Sequence, residues 1–328
     1  AQEREADVSG AVQQTEISAA RERIEDIRRE VLRTYVGTSK ALDLILVAVL
    51  AKGHVLLEGV PGTAKSLLAQ ALARAFGVEF RRVQFTPDML PSDLTGTMAL
   101  RGDELAFRPG AVFTNLLLAD EINRTPPKAQ SALLEAMQER QVSIDGVSHP
   151  LPSPFLVLAT QNPIEYEGTY PLPEAQLDRF LLQVKVGYPT PDDELRMLRI
   201  AHHGVVPASL SDVQAVTSTE ELDATAALVD ATTVSDAVLG YIAALTQATR
   251  RLPSVALGAS PRSARHLLAA SKASARMSGR DFVTPDDVAW MTVPVWRHRI
   301  QLRPEVELEQ GDPEDAIRAA LASVPVPR

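Results

Sequence analysis

Short apolar-rich runs alternate along this chain with stretches whose apolar residues recur every three to four positions. The runs His54–Glu58, Phe113–Ala119 and Pro154–Thr160 have strand length, and the last two predict buried strands. A further strand is expected at 80–85. Helical spacing appears at Ile17, Ile24, Ile27, Val31 and Leu32, again over Ser39–Lys52, over Leu67–Phe76 and over Lys128–Arg140. Strands alternating with helices predict an α/β fold, a parallel sheet between helices.

Two hairpins interrupt that alternation, one over about 98–107 turning at Gly102-Asp103, the other over about 141–151 turning at Asp145-Gly146. Beyond Tyr188-Pro189-Thr190-Pro191 the sequence turns helical and Ala-rich. Residues 17–188 are therefore expected to form the α/β domain and 189–328 a smaller all-helical domain. Residues 1–16 are small, polar and acidic without an apolar period, and are expected to be a disordered tail.

Residues 59–66 read Gly-Val-Pro-Gly-Thr-Ala-Lys-Ser between a predicted strand and a predicted helix. Such a loop turns backbone N–H groups toward phosphate oxygens, and the helix start adds its positive dipole end. Lys65 is expected to reach the β and γ phosphates and the Ser66 hydroxyl to ligate magnesium. Ala64 stands where the usual pattern has glycine. The expectation is that this residue is already entering the helix with negative φ, where a methyl group costs nothing. An ordinary Pro-Gly turn before a helix is the competing reading.

Asp120-Glu121 closes the predicted strand ending at Ala119. In nucleotide hydrolases of this kind the aspartate holds magnesium and the neighbouring carboxylate activates water. Asn162 ends the next strand, where it could hold the attacking water or the γ phosphate, or simply start a turn before Pro163. Arg179 is a candidate for transition-state charge stabilisation from a neighbouring subunit, or else a surface partner of Asp178. Ser260-Pro261 reads as N-cap and first helical residue, which puts Arg262 and Arg265 in a first turn where positive charge opposes the dipole. A nearby phosphate would offset that. Thr190-Pro191-Asp192-Asp193 and Thr284-Pro285-Asp286-Asp287 are instead capped helix starts, their acids complementing the dipole.

Composition narrows the class. The chain has 328 residues, 45% apolar, enough for a full core and two domains. Leu44–Ala51, bounded by Asp43 and Lys52, is far short of the ~18 apolar residues a membrane helix needs, so no direct membrane insertion is expected. With no cysteine, disulfides and thiolate metal sites are excluded, which fits a reducing, cytoplasmic setting. No charged-then-apolar leader opens the chain, although a start at Ala1 rather than Met leaves room for a trimmed segment. A net charge of −9 opposes generic attraction to nucleic acid. The histidines show no ligand-like spacing, so no metal beyond nucleotide-bound magnesium is expected.

Taken together, the stretches 59–66, 84–96, 119–124, 159–163, 176–180 and 258–262 resemble the MoxR family of AAA+ ATPases. The resemblance runs from about residue 17 to about residue 323. It implies a P-loop AAA+ core with a helical lid, ATP and Mg2+ as cofactors, and two hairpin inserts. It further implies Lys65 and Ser66 as Walker A, Asp120 and Glu121 as Walker B, Asn162 as first sensor, Arg179 as a finger given in trans, and Arg262 as second sensor. The nucleotide-binding set it implies is Val36, Gly37, Gly59, Pro61, Gly62, Thr63, Ala64, Lys65, Ser66, Leu67 and Arg262. Proteins similar to this one act as homo-hexameric rings that remodel or activate protein clients, often proteins with a von Willebrand factor A domain. Two other functions compete: a nucleic-acid motor of the helicase type, and a nucleotide-binding scaffold with little hydrolysis. The first hairpin sets Arg101 and Arg108 against Asp103 and Glu104, and the second has no Lys or Arg, so neither resembles a phosphate-tracking finger.

Overall fold

The computed structural model describes residues 2–37, 39–59, 64–102, 104–161, 168–202 and 210–327. The chain divides into two compact units, one of residues 30–45 and 52–219, the other of 1–29, 46–51 and 220–328.

Helix α1, Gln2–Thr34, opens the chain. Its first half is the stretch expected to lack structure. Ala, Gln and Glu dominate there, and their helix propensity extends the backbone helix without an apolar stripe. Helix α2 follows at Ser39–Leu50.

The first unit is built on β1 (Val55–Gly59), β2 (Phe80–Gln84), β5 (Leu116–Asp120), β8 (Leu156–Gln161) and β9 (Leu182–Val186). They form one sheet in the order β2-β5-β8-β1-β9, every neighbouring pair parallel. Burial on both faces explains the runs: Leu116 to Ala119 and Leu156 to Thr160 are all buried. Helix α3 (Lys65–Phe76) connects β1 to β2. After β2 comes the short helix α4 (Pro91–Thr95), and from it the hairpin β3 (Gly96–Arg101) and β4 (Glu104–Pro109) departs. The hairpin is an insertion in the strict sense. Ala111 N and Val112 N donate to Asp93 O and Leu94 O at 3.1 and 3.0 Å, so the chain rejoins α4 where it left.

Helix α5 (Pro127–Glu139) leads into the second hairpin, β6 (Gln141–Ile144) and β7 (Val147–Pro150). The two hairpins are tied by the Phe107 ring stacked on His149, with centroids 3.9 Å apart. Helix α6 (Glu174–Leu177) precedes β9, and α7 (Pro191–His202) follows it. Residues 189–219, which the sequence pattern groups with the helical domain, belong to the sheet unit. Val216 N donates to Ala75 O at 3.0 Å and Gln214 N to Glu30 Oε2 at 3.1 Å, contacts between distant segments that a local reading does not foresee.

The second unit contains α8 (Thr219–Asp230), α9 (Asp236–Arg251), α10 (Pro261–Met277), α11 (Pro285–Trp296), α12 (Pro304–Leu308) and α13 (Pro313–Ser323). A two-stranded ladder, β10 (Val255–Leu257) with β11 (Gln301–Leu302), joins them. The caps follow the residue chemistry: Ser260 accepts from Ser263 N, and Thr284 accepts from Asp287 N. Asp287 is buried and held by Arg280 and Ser274, a structural role. Buried Trp296 closes this core, its Nε1 donating to Ser263 O at 3.1 Å.

Candidate nucleotide site

The strand order puts the carboxyl ends of β1, β8 and β5 side by side, because β8 pairs with both others. Glu58 lies opposite Gln161, Leu57 opposite Thr160 and Ala119 opposite Ala159. What leaves these ends shares one sheet edge, where open α/β sheets place their ligands.

From β1 the chain enters the glycine loop. Gly59 packs so closely on β9 that a Cβ would collide with the Val186 carbonyl oxygen. Val60, Pro61, Gly62 and Thr63 lie outside the described residues, as does Asn162. The loop's end is described. Ala64 has φ 56° and ψ 24°, left-handed, and its carbonyl accepts from Leu68 N at 3.0 Å. This corrects the expectation of negative φ. The residue is the N-cap of α3, outside the helical dihedrals, so its methyl group sits in a conformation that costs a Cβ-bearing residue roughly 1–2 kcal/mol.

Lys65, Ser66 and Leu67 form the first turn of α3 and are half-buried. The Lys65 ammonium donates to Gly59 O at 2.7 Å, at the end of β1. Burial pushes its pKa down from the ordinary lysine value, and the charges of Asp120 and Glu121 push back up. Lys65 and the carboxylate pair therefore share one electrostatic neighbourhood.

Asp120 ends β5 and Glu121 follows it with φ 57° and ψ 51°. Both are held by donors from flanking strands. Thr160 Oγ1 donates to Asp120 Oδ1 at 2.6 Å, and Arg82 Nη2 donates to Oδ2 at 2.6 Å. Glu121 N donates to Thr160 Oγ1 at 2.9 Å. The Glu121 carboxylate accepts from Gln84 Nε2 at 2.6 Å and pairs with Arg124 at 3.2 Å. At the end of β1, Glu58 accepts from Gln183. Sequence reasoning assigned no role to Arg82, Gln84 or Thr160. Thr160 and Gln84 fell inside family-like segments, but Arg82 carries no signal beyond its place on one strand.

Val36 and Gly37 follow α1 and are half-buried, Gly37 set against the Tyr35 ring where a Cβ would clash. Arg179 lies just after α6 on a turn whose N–H groups at 179 and 180 bond back to Gln176 O and Leu177 O. Among the described residues its guanidinium makes no ion pair, Asp178 included. Arg262 is exposed in the first turn of α10, in the helical unit.

The donor set suits a magnesium–nucleotide. Ser66 and Asp120 offer hard oxygen donors, and Asp120 Oδ1 keeps lone-pair capacity beyond its bond to Thr160. A half-buried lysine beside them matches a polyphosphate.

A strand–loop–helix with its lysine, an Asp-Glu pair on the same edge of a parallel sheet and a separate helical unit define a AAA-type ATPase. The chain accordingly matches the ATPase family associated with various cellular activities (AAA) over residues 54–182 and the AAA lid domain over 247–320. Chaperone MoxR1 of Mycobacterium tuberculosis is 45% identical over 310 residues, 91% of this chain and 81% of that protein. Protein MoxR of Methylorubrum extorquens is 32% identical over 330 residues, 91% of this chain and 94% of that one. A solved structure from Cytophaga hutchinsonii aligns with a TM-score of 0.90 at 38% identity, covering 98% of this chain and 99% of that one. The chain belongs to the MoxR family of AAA+ ATPases.

Proposed function

We propose that this chain hydrolyses ATP to remodel, mature or activate protein partners. The supporting observation is the shared electrostatic neighbourhood of Lys65, Asp120 and Glu121 at the edge of the sheet.

In this reading Lys65 binds the β and γ phosphates and the amides of the 59–67 loop cradle them, with Val36 and Gly37 completing the nucleotide-binding set. Ser66 and Asp120 hold Mg2+, which when bound neutralises phosphate charge. Glu121 orients the attacking water and takes its proton, its carboxylate aimed by Gln84 and Arg124. Asn162 holds that water or the γ phosphate. Arg262 serves as the second sensor. Arg179, without an ion-pair partner among the described residues of its own chain, is the group given to a neighbouring subunit, which requires a ring; a homo-hexamer satisfies it.

Protein clients are favoured over nucleic acid by the first hairpin. Leu100 and Leu105 face each other across its strands, 74% and 67% exposed, an apolar pair where a DNA-tracking finger would carry cations. The chaperone description of the mycobacterial relative fits this reading, and proteins with a von Willebrand factor A domain are the proposed client class. A cytoplasmic setting goes with it; among the described residues no helix is long and apolar enough to cross a membrane.

The test is Glu121→Gln. ATP binding, followed with a fluorescent analogue, should be kept while turnover is abolished. Unchanged turnover would assign water activation to another group, and strong salt-sensitive stimulation of the wild-type ATPase by single-stranded DNA would overturn the protein-client reading.

A further inference from the structure

We infer that Thr160 is a positioning residue that couples the two carboxylates of the site into one rigid unit. The inference rests on the proposed roles of Asp120 and Glu121 and adds the group that fixes both.

Thr160 lies near the end of β8, on the strand between β5 and β1, and is 2% exposed. A hydroxyl has one proton to give and two lone pairs to accept with. An ionised carboxylate has no proton, so the bond to Asp120 Oδ1 at 2.6 Å must use the threonine proton. The lone pairs are then free for the N–H of Glu121, at 2.9 Å. One oxygen thus donates to the side chain of one residue and accepts from the backbone of the next.

Glu121 carries its side chain at φ 57°, a conformation that an L-residue enters only when its surroundings hold it there. The bond from its N–H to Thr160 is such a hold. It turns the peptide between Asp120 and Glu121 back toward β8 and so sets the direction in which the Glu121 side chain leaves. The side chain's own partners, Gln84 and Arg124, are polar groups at the surface end of the edge. The buried hydroxyl is the firmer of the anchors.

Thr160→Val keeps shape and volume and removes the hydroxyl; Thr160→Ser keeps the hydroxyl and removes the methyl. Misplacing a general base and a metal-holding carboxylate together should lower kcat for ATP by about 100-fold in Thr160→Val. KM for ATP and the dissociation constant of a fluorescent ATP analogue should stay within about threefold, because Lys65 and the loop are untouched. Thr160→Ser should recover kcat to within about fivefold of wild type. A merely structural threonine would instead lower thermal stability and affect KM and kcat together. Thr160→Ala gives the same comparison should the valine variant melt below the assay temperature. The inference is overturned if Thr160→Val or Thr160→Ala turns over ATP within threefold of an active wild type while Glu121→Gln does not. It is also overturned if Thr160→Ser is as impaired as Thr160→Val. A wild-type chain with no turnover would overturn the ATPase reading itself, and this inference with it.

Discussion

The guanidinium of Arg82 grips a single oxygen of Asp120, with Nη2 at 2.6 Å and Nε at 3.2 Å from Oδ2. That carboxylate is the proposed magnesium ligand, so a fixed positive charge would compete there with a divalent cation. The Arg82 side chain is 48% exposed, which screens the pair and limits its worth to about 1 kcal/mol.

Arg82→Gln should therefore lower the magnesium concentration needed for half-maximal ATP turnover by about fivefold, the equivalent of that 1 kcal/mol. A titration of turnover against magnesium at saturating ATP measures it. A rise in place of a fall would mean that Arg82 serves chiefly to orient the carboxylate.

Ala64 offers a backbone prediction. At φ 56° a methyl group is strained and a β-branched side chain more so. Ala64→Gly should be no less stable than wild type, the relief of strain offsetting the greater freedom of glycine in the unfolded chain. Ala64→Val should lose about 2 kcal/mol or more and weaken nucleotide binding. Urea unfolding with and without nucleotide compares the three, and equal stability of the valine variant would show that the position is not left-handed in solution.

His54 sets a pH limit on the sheet unit. Its ring is buried, Nδ1 accepting from Val157 N at 3.0 Å and Nε2 lying 3.2 Å from Met137 O. Burial, reinforced by the nearby Arg140 charge, pushes its pKa down to about 3. The unfolded chain binds the proton with a pKa near 6.5, so protonation favours unfolding. The stabilisation is whole above pH 6.5 and is lost as pH falls from there toward 3. Between pH 6.5 and pH 4.5 the loss from this residue is about 2 kcal/mol. His54→Gln should be less stable at neutral pH yet flatter across that window, read from urea midpoints at several pH values. An equally steep variant would place the acid sensitivity elsewhere, for example at His266 in the helical unit, whose pKa is also depressed to about 3.

Much of this protein is legible without coordinates because it is encoded locally. Apolar runs become buried strands, Ser260-Pro261 and Thr284-Pro285 become capped helix starts, and a glycine loop ahead of Lys65 places an ammonium over a strand end, all through neighbours a few positions apart. Asp120-Glu121 at the end of an apolar strand belongs with these.

What tertiary structure alone decided is who stands beside whom. Arg82 meets Asp120 across 38 positions of sequence and Thr160 meets it across 40, because the sheet order sets β2 and β8 on either side of β5. No spacing rule along the chain specifies that order. The left-handed turns at Ala64 and Glu121 are decided in the same way, since the dihedral preferences of alanine and glutamate point elsewhere and only surrounding contacts hold them there. The membership of 189–219 in the sheet unit also depends on the assembled chain, where contacts between distant segments replace the apolar period as the guide.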